Sequence, residues 1–209
     1  MAIRIAVVGA GIFGVSAALE LARAGYEVDL FERYSDILQA AAGINQYRLH
    51  RGYHYPRSPE TVQESYESEP LFLAEYGETV NKTNHHYYCL AKDDSLVDRK
   101  EFLNLCLKCN LETKVCRPRL VNHRYLQLAV KVKEYLIDIK SLRRLCWRKL
   151  RQSRIKVLLD TEASREMVAD YPLLINCTYA NLNALLDPKI HPWRQYQFEI
   201  CEKPLVKLP

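Results

Sequence analysis

The sequence predicts an α/β protein built on a parallel sheet, with part of a second, strand-rich region attached, and three observations carry that prediction. An apolar run from Ile3 to Val8 is broken only by Arg4, as a strand covered on both faces requires. Gly9, Gly11 and Gly14 stand directly behind it and open a stretch of helical character, residues 12 to 24. Glu27 to Phe31 is a second short strand. Strand, helix and strand follow one another within about 30 residues, the span of a βαβ unit.

The remaining elements are read in chain order. The first helix places Gly14, Ala18, Leu21 and Ala22 on one face, and Gly25 ends it. Residues 34 to 57 carry no clear period and read as a long functional loop. Ser58-Pro59-Glu60 is a helix start, with a serine cap, proline in the first turn and an acid beside it. That helix is predicted to kink or break near Pro70 and to stop at Gly77. Asn84 to Leu90 is strand-like. Asp98 to Asn110 is helical, with Phe102, Leu103, Cys106 and Leu107 as its apolar face. Residues 120 to 136 read mostly as strand, and Lys/Val alternation at 130 to 133 predicts a half-exposed one. Asp138 caps a helix running to about Ser153, with Ile139, Leu142, Leu145, Cys146 and Leu150 as an apolar stripe and basic residues elsewhere. Ile155 to Leu159 and Leu173 to Cys177 are two further strands, and residues 194 to 207 read as one or two antiparallel ones.

Composition limits the function classes. The 30 basic and 25 acidic side chains leave a net charge of +5, too weak an excess to imply nucleic acid. The basic helix at 140 to 154 reads as a solvated face opposite a core stripe. Seven cysteines at irregular spacing argue against a disulfide framework, so reduced thiols and a cytoplasmic location are expected. No run of about 18 uncharged apolar residues exists, and no membrane span is predicted. Cys106-x-x-Cys109, with Cys89, Cys116 and the His85-His86 pair, lacks a second CxxC and a clean ligand spacing, so no metal site is expected. All seven glycines lie at or before Gly77, which leaves Asn, Asp and Pro to make the later turns.

The glycines carry the chemistry. Gly9 permits a tight turn, Gly11 lets the backbone approach a pyrophosphate, and Gly14 allows close packing of helix on sheet. The free amides near Ile12 and Phe13 sit at the positive end of a helix dipole, where an anion is favoured. Glu32 ends the second strand, where its carboxylate can accept hydrogen bonds from ribose hydroxyls and repel a 2′-phosphate. The pattern is a Rossmann-like adenine-dinucleotide site, and the residues alone leave NAD and FAD open.

The segment "VVGAGIFGVSAALELARAGYEVDLFER" resembles the opening of FAD-dependent oxidoreductases of the D-amino-acid oxidase and glycine oxidase superfamily. "AAAGINQYRLHRGYHYPR", residues 40 to 57, is similar to that family's flavin-contacting loop. "IDIKSLRRLCWRKLRQSRIKVL" and "ADYPLLINCTYANLN" are similar to the segments that return the chain to the nucleotide domain and end beside the cofactor. The resemblance implies FAD as cofactor, with Gly9, Gly11, Ile12, Phe13, Gly14, Glu32 and Arg33 on the adenylate half. It further implies Ala41, Ala42 and Asn45 along the pyrophosphate and ribityl chain, Arg48 near the ring system, and Thr178 on the later strand.

The implied domains are residues 1–80 with 137–190 for FAD and residues 81–136 with 191–209 for part of a substrate domain. The implied reaction is oxidation of a small amine, amino acid or hydroxy acid by hydride transfer to flavin. The expected partner is a small-molecule substrate, with no nucleic acid and no membrane, and the oligomeric state is left open. His50 is the candidate catalytic residue. It belongs to a polar-aromatic cluster with Arg51, Tyr53, His54, Tyr55 and Arg57, where an arginine could clamp an anionic substrate. Two departures stand out: the excursion before "INCT" is short, and Tyr179 occupies a place where small residues are usual. The family also closes its flavin site with a glycine-rich segment absent here. The expectation is therefore an N-terminal part of a larger flavoenzyme, weakly active or inactive alone. An NAD-binding protein and a non-catalytic fragment acting through its basic helix are the alternatives.

Overall fold

The computed structural model describes residues 3–82, 86–187, 189, 193 and 195–197. In chain order the elements are β1 (Arg4–Val8), α1 (Ile12–Arg23), β2 (Glu27–Phe31), β3 (Arg48–Leu49), α2 (Pro59–Tyr76), β4 (Val80–Asn81), β5 (His86–Ala91), α3 (Arg99–Lys108), β6 (Thr113–Val115), β7 (Leu126–Val132), β8 (Tyr135–Ile137), α4 (Ile139–Arg151), β9 (Ile155–Leu158), α5 (Arg165–Val168) and β10 (Leu174–Asn176). They fall into two units, Met1–Gln46 with Arg143–Pro209, and Tyr47–Leu142.

The first unit holds a four-stranded sheet in the order β10-β1-β2-β9, parallel throughout. β1 sits in its middle, and every residue of β1 after Arg4 is buried, which is why that segment reads as an unbroken apolar run. Ala6, Val8, Phe31, Val168 and Leu185 form a core on one side. α1 packs through Gly14, Val15, Ala18 and Leu19. The expected face had Leu21 and Ala22 in place of Val15 and Leu19. Leu21 and Ala22 are only half-buried.

The second unit holds two antiparallel sheets, β3-β8-β4 and β5-β7-β6. Its core gathers Tyr53, Val62, Phe102, Leu105, Cys106, Val130 and their neighbours. Strand covers less of residues 120–136 than expected, because a 3-10 turn at His123–Tyr125 precedes β7 and Glu134 lies between β7 and β8.

Three helix expectations are modified. α2 stops before Gly77 as expected, but of the kink or break expected near Pro70 it shows no break. Buried Val62 and Glu69 anchor the part before the proline and buried Tyr76 the part after it, which holds both against the missing hydrogen bond. On α3, Leu105 is buried and Leu107 is exposed, so the core face is Phe102, Leu105 and Cys106. On α4, Leu142, Leu145, Cys146 and Leu150 are buried as expected, whereas Ile139 is only half-buried. Asp94, Asn110 and Asp160 take positive φ at later turns, as the missing glycines required. Tyr179 does so as well, with φ +55 and its ring exposed. The strands expected at 194 to 207 lie almost wholly outside the described residues, as does His85.

Candidate functional site

At the C-terminal end of β1 the chain turns through Gly9. The Gly9 amide donates to Phe31 O at 2.8 Å, and the Cys177 amide donates to Val8 O at 2.8 Å. The turn is therefore pinned between β2 and the end of β10. Gly9 has φ +98, and a Cβ there would lie 2.6 Å from Cys177 O. A Cβ on Gly14 would lie 1.7 Å from Gly9 O, so helix and turn touch backbone to backbone. Gly11 differs: a Cβ there would meet nothing within 4 Å. The space it faces is open to a ligand.

α1 starts without help from its own sequence. Its N-cap, Gly11, offers no side-chain hydrogen bond, and its first turn has no acid. By contrast Ser58, Asp98 and Ser164 each cap the helix that follows them. The first amides of α1, including those of Ile12 and Phe13, have no intrahelical acceptors and sit at the dipole's positive end. They are free to receive an anion beside the open space at Gly11.

Glu32 is buried at the end of β2. Its Oε2 accepts from the Ala10 amide at 2.8 Å and its Oε1 from the Tyr34 amide at 3.0 Å. A carboxylate has about four acceptor positions, so each oxygen keeps capacity for a further donor such as a ribose hydroxyl. Arg33 folds onto its neighbour, donating to the Tyr34 hydroxyl at 2.9 Å.

Sequence reasoning missed the anchoring of the next loop. Ile37 and Leu38 are fully buried, and Leu38 adopts φ +58. The Leu38 amide donates to Ala10 O at 3.0 Å. Arg143 of α4 donates to the carbonyls of Ile37 and Leu38, and Trp147 Nε1 donates to Asp36 Oδ1 at 2.7 Å. A buried hydrophobic pair inside an aperiodic segment was the available signal. Ala41 and Ala42 begin a 3-10 turn at 41–43, and Asn45 Nδ2 donates to Ala42 O at 3.5 Å. Thr178 follows Cys177, and its amide and hydroxyl both donate to Asn176 Oδ1. Gly9, Gly11, Ile12, Phe13, Gly14, Glu32 and Thr178 thus gather at one corner of the first unit.

Arg48 and His50 belong to the second unit, where they converge with Tyr88 on Glu134. The Glu134 side chain is 0 % exposed. It accepts from Arg48 Nη2 at 2.5 Å, the Arg51 amide at 3.1 Å and the Tyr88 hydroxyl at 3.2 Å. His50 Nδ1 lies 3.7 Å from Oε1. Burial pushes the Glu134 carboxyl up, but His50, the Arg48 charge and the Arg51 amide outweigh it and hold it below the usual carboxylate range. Arg48 Nε and His50 Nδ1 are buried without a hydrogen-bond partner among the described residues. Arg51, one of the arginines of the expected polar-aromatic cluster, is held by both oxygens of Glu69. No group of three His, Cys, Asp or Glu among the described residues is placed to hold a metal ion. No helix among them is long and apolar enough to cross a membrane.

A parallel sheet, an uncapped helix end over a glycine turn and an acid closing the second strand define a dinucleotide-binding protein of Rossmann type. The chain belongs to the FAD dependent oxidoreductase family, whose model matches residues 4–208, and its cofactor is FAD. Among curated proteins it is similar to the FAD-dependent monooxygenase FPY4 of Fusarium mangiferae, 35% identical over 92 residues, 44% of this chain and 25% of that one. It is also similar to the FAD-dependent monooxygenase kojA of Aspergillus flavus, 36% identical over 109 residues, 50% of this chain and 26% of that one. The matches therefore span about a quarter of the length of these curated relatives.

Solved structures share the fold. Glycine oxidase from Geobacillus kaustophilus matches with TM-score 0.63 at 16% identity, over 76% of this chain and 47% of that one. L-alpha-glycerophosphate oxidase from Mycoplasma pneumoniae, with FAD bound, matches with TM-score 0.64 at 16% identity, over 78% of this chain and 46% of that one.

Proposed function

We propose that the first unit holds the adenylate half of FAD and that the protein acts in oxidising a small amine, amino acid or hydroxy acid. The observation that carries the reading is the uncapped start of α1 facing the open space at Gly11, with Glu32 buried alongside. The amides of Ile12 and Phe13 receive the pyrophosphate, and the free capacity of Glu32 takes ribose hydroxyls. Arg33, Ala41, Ala42, Asn45 and Thr178 are proposed along the rest of the cofactor. Arg48 is proposed as a further cofactor-binding residue and His50 as the candidate catalytic residue. Bound flavin supplies the hydride acceptor, so the protein's task is to orient the substrate and exclude water. In this reading the second unit is the substrate-binding part.

A second reading, transfer of one oxygen atom to the substrate, is favoured by the curated relatives at 35% and 36% identity, both FAD-dependent monooxygenases. The two separate on the reductant: oxidation proceeds from the substrate's own electrons, whereas oxygen transfer consumes NAD(P)H.

Flavin retention tests the primary reading. The chain purified with excess FAD and then dialysed should keep the visible absorbance of oxidised flavin. Gly11→Ala should lose it with an unchanged thermal midpoint, because the added Cβ meets no protein atom. A colourless wild type, or a Gly11→Ala variant that retains flavin as well as wild type, overturns the assignment.

A further inference from the structure

In the second unit β7 is paired on one side with β5 and on the other with β6. Leu128 and Val130 of β7 belong to the core, and Tyr88 and Leu90 of β5 pack against it. Side chains alternate along a strand, so Ala129 and Cys89 face the other way. Cys89 is directly opposite Ala129 in the register of β5 and β7. On the far flank Lys114 and Val115 pair with Lys131 and Val130, and the next residue, Cys116, donates its amide to Ala129 O at 3.0 Å. Two thiols therefore stand on one face of the sheet, one on each side of the Ala129 methyl group. Cys89 is exposed and Cys116 half-buried.

The spacing decides what the pair can do. Neighbouring strands lie about 4.7–4.9 Å apart, so the two cysteine Cα atoms are separated by roughly 9–10 Å. A disulfide cannot close across more than about 7 Å without backbone movement. One metal ion can span the gap. Two metal–sulfur bonds of about 2.3 Å set end to end place the sulfurs roughly 4.6 Å apart, and the side chains leaning over Ala129 cover the remainder. Burial, and then Cys116, push the Cys89 thiol up, which puts the two thiols within electrostatic reach of each other.

The adjoining row on the same face supplies charge. Lys131 is directly opposite Tyr87 on one side and Lys114 on the other. Like charges opposite one another across a ladder are unfavourable. Neither lysine has an ion pair or hydrogen bond among the described residues. An anionic group beside them relieves that repulsion. No third His, Cys, Asp or Glu among the described residues joins the thiols, so the four-ligand cage that zinc takes is not formed there. Two thiolates alone suit a soft monovalent cation.

We propose that Cys89 and Cys116 bind one soft monovalent cation of the copper(I) class in linear two-coordination across Ala129. The ion forms two metal–sulfur bonds, both thiol protons pass to solvent, and no electron is transferred. The resulting complex carries a net charge of −1 beside Lys114 and Lys131. The site shares no residue with the proposed flavin corner, so either assignment can fail alone.

The test is anaerobic titration of the reduced, intact chain with copper(I) against a coloured copper(I) chelator. Wild type should withhold one ion per chain. Cys89→Ser and Cys116→Ser should each weaken retention about tenfold or more, and the double variant little further, because one ion needs both sulfurs. Cys109→Ser should retain it as wild type does. Ala129→Val keeps both thiols, fills the space between them and should also weaken retention. Lys131→Gln should weaken it less than either serine variant. Circular dichroism checks that each variant folds. Failure of wild type to withhold copper, single serine variants that keep it, or an equal loss in Cys109→Ser overturns the proposal. A Cys89–Cys116 disulfide formed by mild oxidation of the metal-free chain overturns the geometry on which it stands.

Discussion

Glu134 shows how one residue can organise a site without leaving a local mark in the sequence. Its contact with Arg48 joins positions 86 residues apart, and nothing around "KVKEYLI" announces a buried acid. Removing it would strand the Arg48 guanidinium, whose side chain is 18 % exposed, and leave the Arg51 amide and Tyr88 hydroxyl without their acceptor. Breaking one side of a buried ion pair costs about 3–5 kcal/mol. Glu134→Ala should lower the urea midpoint accordingly, whereas Glu134→Gln, which still accepts hydrogen bonds, should lower it less. The glycines behave oppositely. Gly9, Gly11 and Gly14 are legible from spacing alone: Gly9 and Gly14 answer steric demands of the backbone, and Gly11 keeps the space before it open. Arg51 was legible as part of a polar-aromatic cluster, whereas its pairing with Glu69 in α2 leaves no mark in the local pattern.

Among the elements, the βαβ start was readable because its signals are short-range: apolar run, glycine turn, helical stripe and closing acid all fall within residues 3 to 32. The loop after β2 was not, because what orders it comes from α4, more than a hundred residues later in the chain. Trp147 and Arg143 reach across to Asp36, Ile37 and Leu38, and those contacts decide the loop's path. Trp147→Phe keeps most of the ring's bulk and deletes only its hydrogen bond to Asp36. It should cost about 1–2 kcal/mol, since the donor at Asp36 is lost from a charged acceptor. Faster protease cleavage between residues 34 and 46, with little change in α4 helicity, is the expected outcome. Equal cleavage rates would mean that Arg143 and the burial of Ile37 and Leu38 suffice. The α3 face was misassigned by choosing Leu107 over Leu105; both fit a helical period, and only the position of the neighbouring sheet decides between them.

At the scale of the whole molecule, two of the shifted contacts among the described residues, one in each unit, respond at opposite ends of the pH scale. In the second unit the Glu134 carboxyl titrates below its ordinary value of 4.5, so its contribution is complete above that value and is lost as pH falls through the lower, folded one. In the first unit Tyr171 donates to Asp29 Oδ2 at 2.5 Å. Burial and that hydrogen bond raise the phenol from 10.0 to about 12. Its contribution is complete below pH 10.0 and fades as pH rises through about 12. Thermal midpoints should therefore fall on the acid side in a manner weakened by Glu134→Gln, and on the alkaline side in a manner weakened by Tyr171→Phe. If each substitution flattened the wrong limb, the assignment of contacts to units would fail.

The Ala10 peptide group has a consequence of its own. Its amide is committed to Glu32 and its carbonyl to Leu38. The corner proposed for the coenzyme is therefore braced by the protein's own hydrogen bonds. Docking has little chain disorder left to remove there, so contacts made on arrival convert into affinity instead of being offset by the ordering of a slack loop.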